Sequence, residues 1–339
     1  MALSGAAGRA RYQNLWIFMN QRPLRTADAP AQTNEARCPV RARVMLSSIA
    51  LVENLRDGTD RAAKSPAGYS PEFQVCLPYC GLFIWHVGQD DVVGDANQVL
   101  YVSGGESFSL SNPIPGGYGE LIITPDAGLL AELACARESL GTHPLFRRRS
   151  RRLDAGAQEL RTRFLHLATR GALDGLSADE CVVALLRAAL KADAVNGSRP
   201  GRATRRLIRR TKEFLEAHMT ACISLADVAR HAGASPAYLT DVFRRIEGAP
   251  LHRYLVQLRL ARALVELPAA TDLTSLALAL GFSSHSHFTA AFRRAFGCTP
   301  SQCRKSLREP ENRDGTRFSA KGLAKVTASG EKSVPSLLF

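Results

Sequence analysis

Long apolar runs are missing from this sequence. Nowhere in its 339 residues is there a stretch approaching the roughly 20 apolar residues that a bilayer-spanning helix needs. The apolar segment Leu15 to Met19 is too short for a signal-peptide core of about 7–15 residues. A soluble, cytoplasmic chain without a membrane partner is expected. Catalytic motifs are equally scarce: there is no nucleophile elbow, zinc-hydrolase pair or phosphate-cradling loop. Gly104-Gly105 and Gly116-Gly117 lack the following lysine or helix start that phosphate binding requires, so they read as turns. The eight cysteines, Cys38, Cys76, Cys80, Cys135, Cys181, Cys222, Cys298 and Cys303, contain no C-x-x-C pair. They read as free thiols in a chain too large to need stapling. His285 and His287 sit two apart on a helix and point in different directions, which excludes a shared metal. The expectation is a protein that is not an enzyme and carries no metal or cofactor.

What the sequence does hold is a repeat. Ser235 to Gly248 reads S-P-A-Y-L-T-D-V-F-R-R-I-E-G, and 49 positions later Ser284 to Gly297 reads S-H-S-H-F-T-A-A-F-R-R-A-F-G. Leu239 aligns with Phe288, Phe243 with Phe292, and the Arg-Arg pairs coincide. Each copy follows a short apolar helix and a glycine turn: Ser224 to Ala229 with Gly233, and Asp272 to Ala279 with Gly281. Ser224 can cap its helix with Asp227 at the third helical position, and Ser235-Pro236 starts the next, because proline at the first position loses no helical hydrogen bond. The unit is helix, tight turn, helix. In its second helix Leu239 and Phe243, or Phe288 and Phe292, form the buried stripe. That leaves Pro236, Ala237, Thr240, Asp241 and Arg244 outside in one copy, and His285, Ser286, Thr289, Ala290 and Arg293 in the other. Between the copies Leu251, Leu255, Leu258 and Val265 mark one face of a longer helix that holds the modules apart. Two helices entering successive major grooves need centres about 34 Å apart.

Charge points the same way. Residues 199–339 carry 23 Lys and Arg against 11 Asp and Glu, while residues 1–198 carry 21 against 20. Nearly all of the net +13 therefore lies in the C-terminal part, as expected of a nucleic-acid-binding region. Arginines 205, 206, 209, 210, 253, 259, 293 and 294 form the pool from which phosphate contacts come.

Residues from about 205 to 307 resemble the double helix-turn-helix domain of the AraC/XylS (arabinose-regulator) family of bacterial transcription regulators. The stretch from Gly281 to Arg304, G-F-S-S-H-S-H-F-T-A-A-F-R-R-A-F-G-C-T-P-S-Q-C-R, carries the resemblance almost throughout. It departs at Cys303, where an aromatic residue is usual. The resemblance implies that Ala237, Thr240 and Asp241 of the first helix and His285, Ser286, Thr289 and Ala290 of the second face base edges. Arg244, Arg245, Arg293 and Arg294 lie beside them. Alanine can read only a thymine methyl and Asp241 can only accept, so the second helix is expected to discriminate more. Double-stranded promoter DNA and RNA polymerase are the implied partners, the nucleoid the implied location, and activation or repression depends on operator position.

The N-terminal part reads as short strands: Phe73 to Leu77, Leu82 to Val87, Gln98 to Val102, Ser107 to Leu110 and Glu120 to Thr124, separated by turn residues such as Gly88-Gln89-Asp90-Asp91. Helices follow at Ala127 to Leu140, Gln158 to Arg170 and Ala178 to Ala192. The fold class is α+β: a small barrel or sandwich with helices, then an all-α DNA-binding domain. The expected boundaries are a flexible leader over 1–44, a sensing domain over 45–192, a linker over 193–203, the DNA-binding domain over 204–308 and a disordered tail over 309–339. Met45 is an alternative start. The order of elements, and F-x-V-x-L-P-x-x-G-x-F-x-x-H-x-G from Phe73 to Gly88, resemble the cupin-like sensing domain of the same family. That resemblance implies a small organic effector or a homodimer contact in the barrel. Trp85, His86 and Tyr101 are the candidate effector residues. A constitutive regulator whose barrel only dimerises is the alternative. A metal-dependent cupin enzyme is disfavoured, because the strand segment has one histidine, His86, and no following glutamate.

Overall fold

The computed structural model describes residues 39–46, 49–59, 62–135, 149–190 and 200–308. The expected tail, most of the leader and residues 193–199 of the linker lie outside them. Ten strands come first: β1 (Val40–Leu46), β2 (Ala50–Asp57), β3 (Gly68–Tyr69), β4 (Gln74–Gly81), β5 (Phe83–Val87), β6 (Asp90–Gly94), β7 (Gln98–Val102), β8 (Ser107–Ser111), β9 (Tyr118–Pro125) and, after helix α1 (Ala127–Cys135), β10 (Ser150–Arg152). They form two antiparallel sheets, in the orders β1-β2-β9-β4-β7-β10 and β3-β8-β5-β6. Period-2 alternation sorts their side chains. On β9, Tyr118 and Ile122 join Trp85, Phe83, Cys76, Leu100 and Val102 between the sheets. Leu121 and Ile123 face the other way, onto helices α2 (Ala155–Thr169) and α3 (Gly175–Leu190).

Two of the departures from the expected strands are explained by partners distant in the chain. β1 starts at Val40, inside the stretch read as leader, because it pairs with β2 and Arg41 reaches Glu53 at 2.5 Å; composition had masked its alternation. Asp90 and Asp91 begin a strand rather than extend a turn. The hairpin turn is only Gly88-Gln89, and the two aspartates are held by arginines, Asp90 by Arg149 at 3.2 Å and by Arg205, Asp91 by Arg209 at 3.0 Å.

Seven helices complete the described chain: α4 (Arg202–Ala217), α5 (Leu225–Ala232), α6 (Pro236–Glu247), α7 (Leu251–Glu266), α8 (Leu273–Ala279), α9 (His285–Phe296) and α10 (Pro300–Arg308). The start of α4 at Arg202 falls within the expected linker. Helix α7 serves two cores. Leu251, Tyr254, Leu255 and Leu258 pack with Leu239 and Phe243, while Leu260, Ala263, Leu264 and Leu267 pack with Phe288 and Phe292. Val265, expected on the buried face, is half-buried; Leu264 and Leu267 take that role.

The sheet and helical regions meet across a buried polar seam at the turn between β6 and β7. Tyr254 Oη donates to Asp95 Oδ2 at 2.6 Å, and Asn97 Nδ2 donates to the Tyr254 carbonyl at 3.1 Å. Lys212 on α4 lies 3.0 Å from Glu247 and 3.7 Å from Asp95. Gln98 Nε2 donates to Glu247 at 2.9 Å. From α2, Gln158 donates to Ala96 O and Asn97 Oδ1, both at 2.9 Å. Arg161 beside it is fully buried, and burial lowers its pKa to about 10. Helix α2 also packs against α7, α9 and α10. The chain therefore brings the shared helix α7 and the second helix-turn-helix module against the sheet region's own helix.

Candidate nucleic-acid interface

Each module is set by its caps. Ser224 and Asp227 form a reciprocal capping box, with Asp227 N donating to Ser224 Oγ at 3.2 Å and Ser224 N to Asp227 Oδ2 at 3.1 Å. Hydrogen bonds from Ser224, then the Arg230 guanidinium, hold the Asp227 carboxyl below its usual range. Ser235 accepts from Tyr238 N ahead of Pro236 at the first helical position. In the second copy Asp272 accepts from Thr274 N and Ser275 N, and Ser284 accepts from His287 N. Gly281 makes the turn between α8 and α9 at φ +81°, where a Cβ would stand 2.7 Å from the Thr220 carbonyl oxygen. Both backbone conformation and space demand glycine there.

The caps fix which faces are inside. Leu239, Phe243, Phe288 and Phe292 are fully buried, as their spacing required. On α6, Ala237, Asp241, Arg244 and Arg245 are exposed and Thr240 is half-buried. Thr240 Oγ1 donates to the Ala237 carbonyl at 2.8 Å, so toward a base it is left as an acceptor. Next to them Tyr238 is 54% exposed, an aromatic residue that the sequence reading passed over because it falls one step from the buried Leu239.

On α9, His285, Ser286, Thr289, Ala290, Arg293 and Arg294 line one shallow open concavity together with Thr299. Ser286, Ala290, Arg293 and Arg294 are exposed, and His285 and Thr289 are half-buried. Their side chains interact, His285 Nε2 with Thr289 Oγ1 at 3.3 Å, one helical turn apart. The two present their hydrogen-bonding groups as one linked unit. Thr299 lies beyond the helix, in the turn closed by Gly297, and only the folded chain shows it beside this face.

The arginine pool divides. Arg206, Arg253, Arg293 and Arg294 are exposed and Arg210 is half-buried. Arg205 and Arg209 are instead turned to Asp90 and Asp91 of the sheet region, beside Gln89, Arg202 and Arg206 in a second concavity. Arg259 is a correction to the expected phosphate contacts: its guanidinium is buried and donates to the carbonyls of Met219 at 2.6 Å and Ala221 at 3.0 Å. It ties α7 to the end of α4.

The three candidate effector residues are not brought together. Trp85 points between the sheets, Tyr101 points to the helices and donates to the Ala189 carbonyl at 2.5 Å, and His86 lies on the opposite face of β5 from Trp85. The His86 ring is held by Asp91 at 2.7 Å and Ser111 at 2.8 Å. Strand alternation could have separated Trp85 from His86; Tyr101 needed the sheet order. One inward group was missed. Glu120 lies between Tyr118 and Ile122 on the inward face of β9, and burial pushes its pKa up to about 7 against the pull of Arg41. Its Oε2 and the Nε1 of Trp85 are buried with no hydrogen-bond partner among the described residues. A glutamate in a strand of apolar neighbours carries no motif, and only its register places it inside.

Comparison with known proteins bears on the helical region. A helix-turn-helix domain profile matches residues 228–306. The chain is 34% identical over 94 residues to the HTH-type transcriptional activator AarP of Providencia stuartii, covering 27% of this chain and 70% of that protein. It is 30% identical over 104 residues to the regulatory protein PocR of Salmonella typhimurium, covering 30% of this chain and 34% of PocR. A crystal structure of an AraC-type transcriptional regulator from Chromobacterium violaceum aligns at 28% identity and a TM-score of 0.30, covering 33% of this chain and all of that one.

Proposed function

The chain belongs to the AraC/XylS family of transcription regulators, and from that premise we propose that it is a sequence-specific regulator that reads double-stranded DNA with α6 and α9 in successive major grooves. The observation that carries this reading is the pair of matching modules built on one shared helix, each presenting a short polar face edged by an arginine pair. Ala237, Thr240 and Asp241 meet one groove; His285, Ser286, Thr289 and Ala290 meet the other. Arg206, Arg244, Arg245, Arg253, Arg293 and Arg294 supply phosphate contacts, which set affinity without reading sequence. Regulation follows from contact with RNA polymerase at the bound promoter.

A small organic effector controls the chain from between the two sheets. The unpartnered Glu120 Oε2 and Trp85 Nε1 support that placement. A ligand group that donates to a carboxyl oxygen or accepts from an indole N–H would satisfy one or the other. The seam at Asp95, Lys212 and Tyr254 gives the sheet region a route to α4 and α7.

The test is a titration of the full chain with random-sequence and selected duplexes across a range of salt. Binding whose logarithm falls linearly with log salt, steeper than one counterion, together with an enriched two-half-site consensus, is the expected result. Binding with no salt dependence, or selection that returns no consensus, would overturn the reading.

A further inference from the structure

We propose a site for one thiophilic divalent cation of the zinc class where Glu159, Cys298 and Cys303 meet, joining the sheet region's helix α2 to the end of the second helix-turn-helix module. One ligand atom of each residue, a carboxylate oxygen and two sulfurs, lies within 4.8 Å of the others. The fold makes the cluster. Gly297 ends α9, Cys298 follows it, Pro300 starts α10, and one turn on Cys303 points inward at 4% exposure among Leu307, Phe288 and Phe292. Glu159 comes from α2, which packs against both helices, and its side chain is only 12% exposed. No other group of three such residues comes together among the described residues.

The donor set suits such an ion. Zinc is held by thiolates at about 2.3 Å and carboxylates at about 2.0–2.2 Å, usually in a tetrahedron; two sulfurs select it over magnesium or calcium, which take oxygen. Those bond lengths place ligand atoms about 3.3–3.8 Å apart, so closing the cluster takes a movement of about 1 Å. Two thiols lose their protons to the solvent as two metal–sulfur bonds form. Two thiolates, one carboxylate and a divalent ion sum to a single negative charge, and Arg163, 3.9 Å from Glu159, stands beside it to balance that charge. The fourth position is left for water. Cys303, at the position where the resemblance expects an aromatic ring, brings a ligand-capable sulfur into this core.

The test uses the full chain, reduced with a phosphine and kept free of oxygen. Cd2+ is the spectroscopic probe, read by sulfur-to-metal charge-transfer absorption, and Zn2+ is measured by competition with a chromophoric chelator. One tight equivalent with the absorption of two thiolates is expected. Cys298→Ser, at a half-exposed position that leaves the core intact, is expected to weaken Zn2+ more than about 100-fold and halve the absorption. Glu159→Gln is expected to weaken it about 10–100-fold with the absorption retained, and Cys222→Ser, at an exposed cysteine elsewhere, to change neither. A wild type that binds no equivalent more tightly than Cys298→Ser would overturn the site. So would Glu159→Gln with unaltered affinity, since the ion would then not join the two regions. A Cys298 to Cys303 disulfide formed with peroxide, in a protein that binds no Cd2+ when reduced, would assign the pair to redox chemistry instead and also overturn the proposal.

Discussion

Replacing Tyr254 with phenylalanine removes one oxygen from the seam between the sheet and helical regions and leaves the ring in place against Phe243 and Lys212. The lost bond runs from a buried hydroxyl to a buried carboxylate, Tyr254 to Asp95 at 2.6 Å. Burial first, then the charges of Asp95 and Glu247, raises the Tyr254 pKa well above its ordinary value, so the group stays a donor. Hydrogen bonds to charged groups contribute about 1.5–3 kcal/mol. The larger penalty of about 3–5 kcal/mol for stranding a buried charge does not apply, because Asp95 keeps Lys212 at 3.7 Å and the Asn97 N–H at 2.9 Å. Tyr254→Phe should therefore cost about 2 kcal/mol in denaturant unfolding of the full chain. In an Asp95→Ala background the same change should cost less than about 0.5 kcal/mol, the difference being the pair's coupling. Equal costs in the two backgrounds would refute the bond, and with it the seam as a cooperative contact.

Burial, with the Asp95 charge next, pushes Glu216 up to about 8 against Arg262 and a Gly81 N–H. The folded chain then holds a proton that the unfolded chain gives up near its ordinary value of 4.5, so this group's stabilisation is full below that value and is lost as pH rises toward 8. The slope approaches about 1.4 kcal/mol per pH unit; Glu216→Gln should flatten it in urea titrations from pH 5 to 8, and an unchanged slope would count against the burial argument. Phe288→Ala empties the centre of the second module and should cost about 3–5 kcal/mol in unfolding, whereas a loss below about 1 kcal/mol would mean that this core is not packed as described. Arg206→Ala or Arg253→Ala should each lower the salt slope of DNA binding by about one, while Arg259→Ala should leave that slope alone and cost more than about 2 kcal/mol of stability through the two carbonyl bonds it loses.

The helix-turn-helix modules were legible because their signals are local. The Ser224 cap, the Ser235-Pro236 helix start, the Gly233 and Gly281 turns and the fourfold aromatic and leucine stripe act within a dozen residues, and each is found as read. The five strands read from Phe73 to Thr124 were legible for the same reason, through alternation between turn residues. What was not legible depends on partners far along the chain. The strand at Val40 takes its order from Glu53 and the β2 ladder. Arg205, Arg209 and Arg259 look like any surface arginine until Asp90, Asp91 and the Met219 carbonyl are beside them. Trp85 and Tyr101 are equally apolar in sequence, and only the stacking of sheets and helices puts them on opposite sides of one layer. Cys298 and Cys303 have an unremarkable spacing, and the third member of their cluster, Glu159, lies in the other region.

The central claim is that α9 reads bases through His285 and its hydrogen-bonded Thr289 while Arg293 holds the backbone. Its most direct measurement is a full specificity profile, from selection on randomised duplexes at two salt concentrations, for the wild type, His285→Ala and Arg293→Ala. His285→Ala should lose about 1–3 kcal/mol of preference at one base position and keep its salt slope. Arg293→Ala should keep the profile, bind every sequence more weakly and lose about one unit of slope. A His285→Ala protein with the wild-type profile, or an Arg293→Ala protein whose base preference changes while its salt slope does not, would contradict the assignment of this helix to the groove.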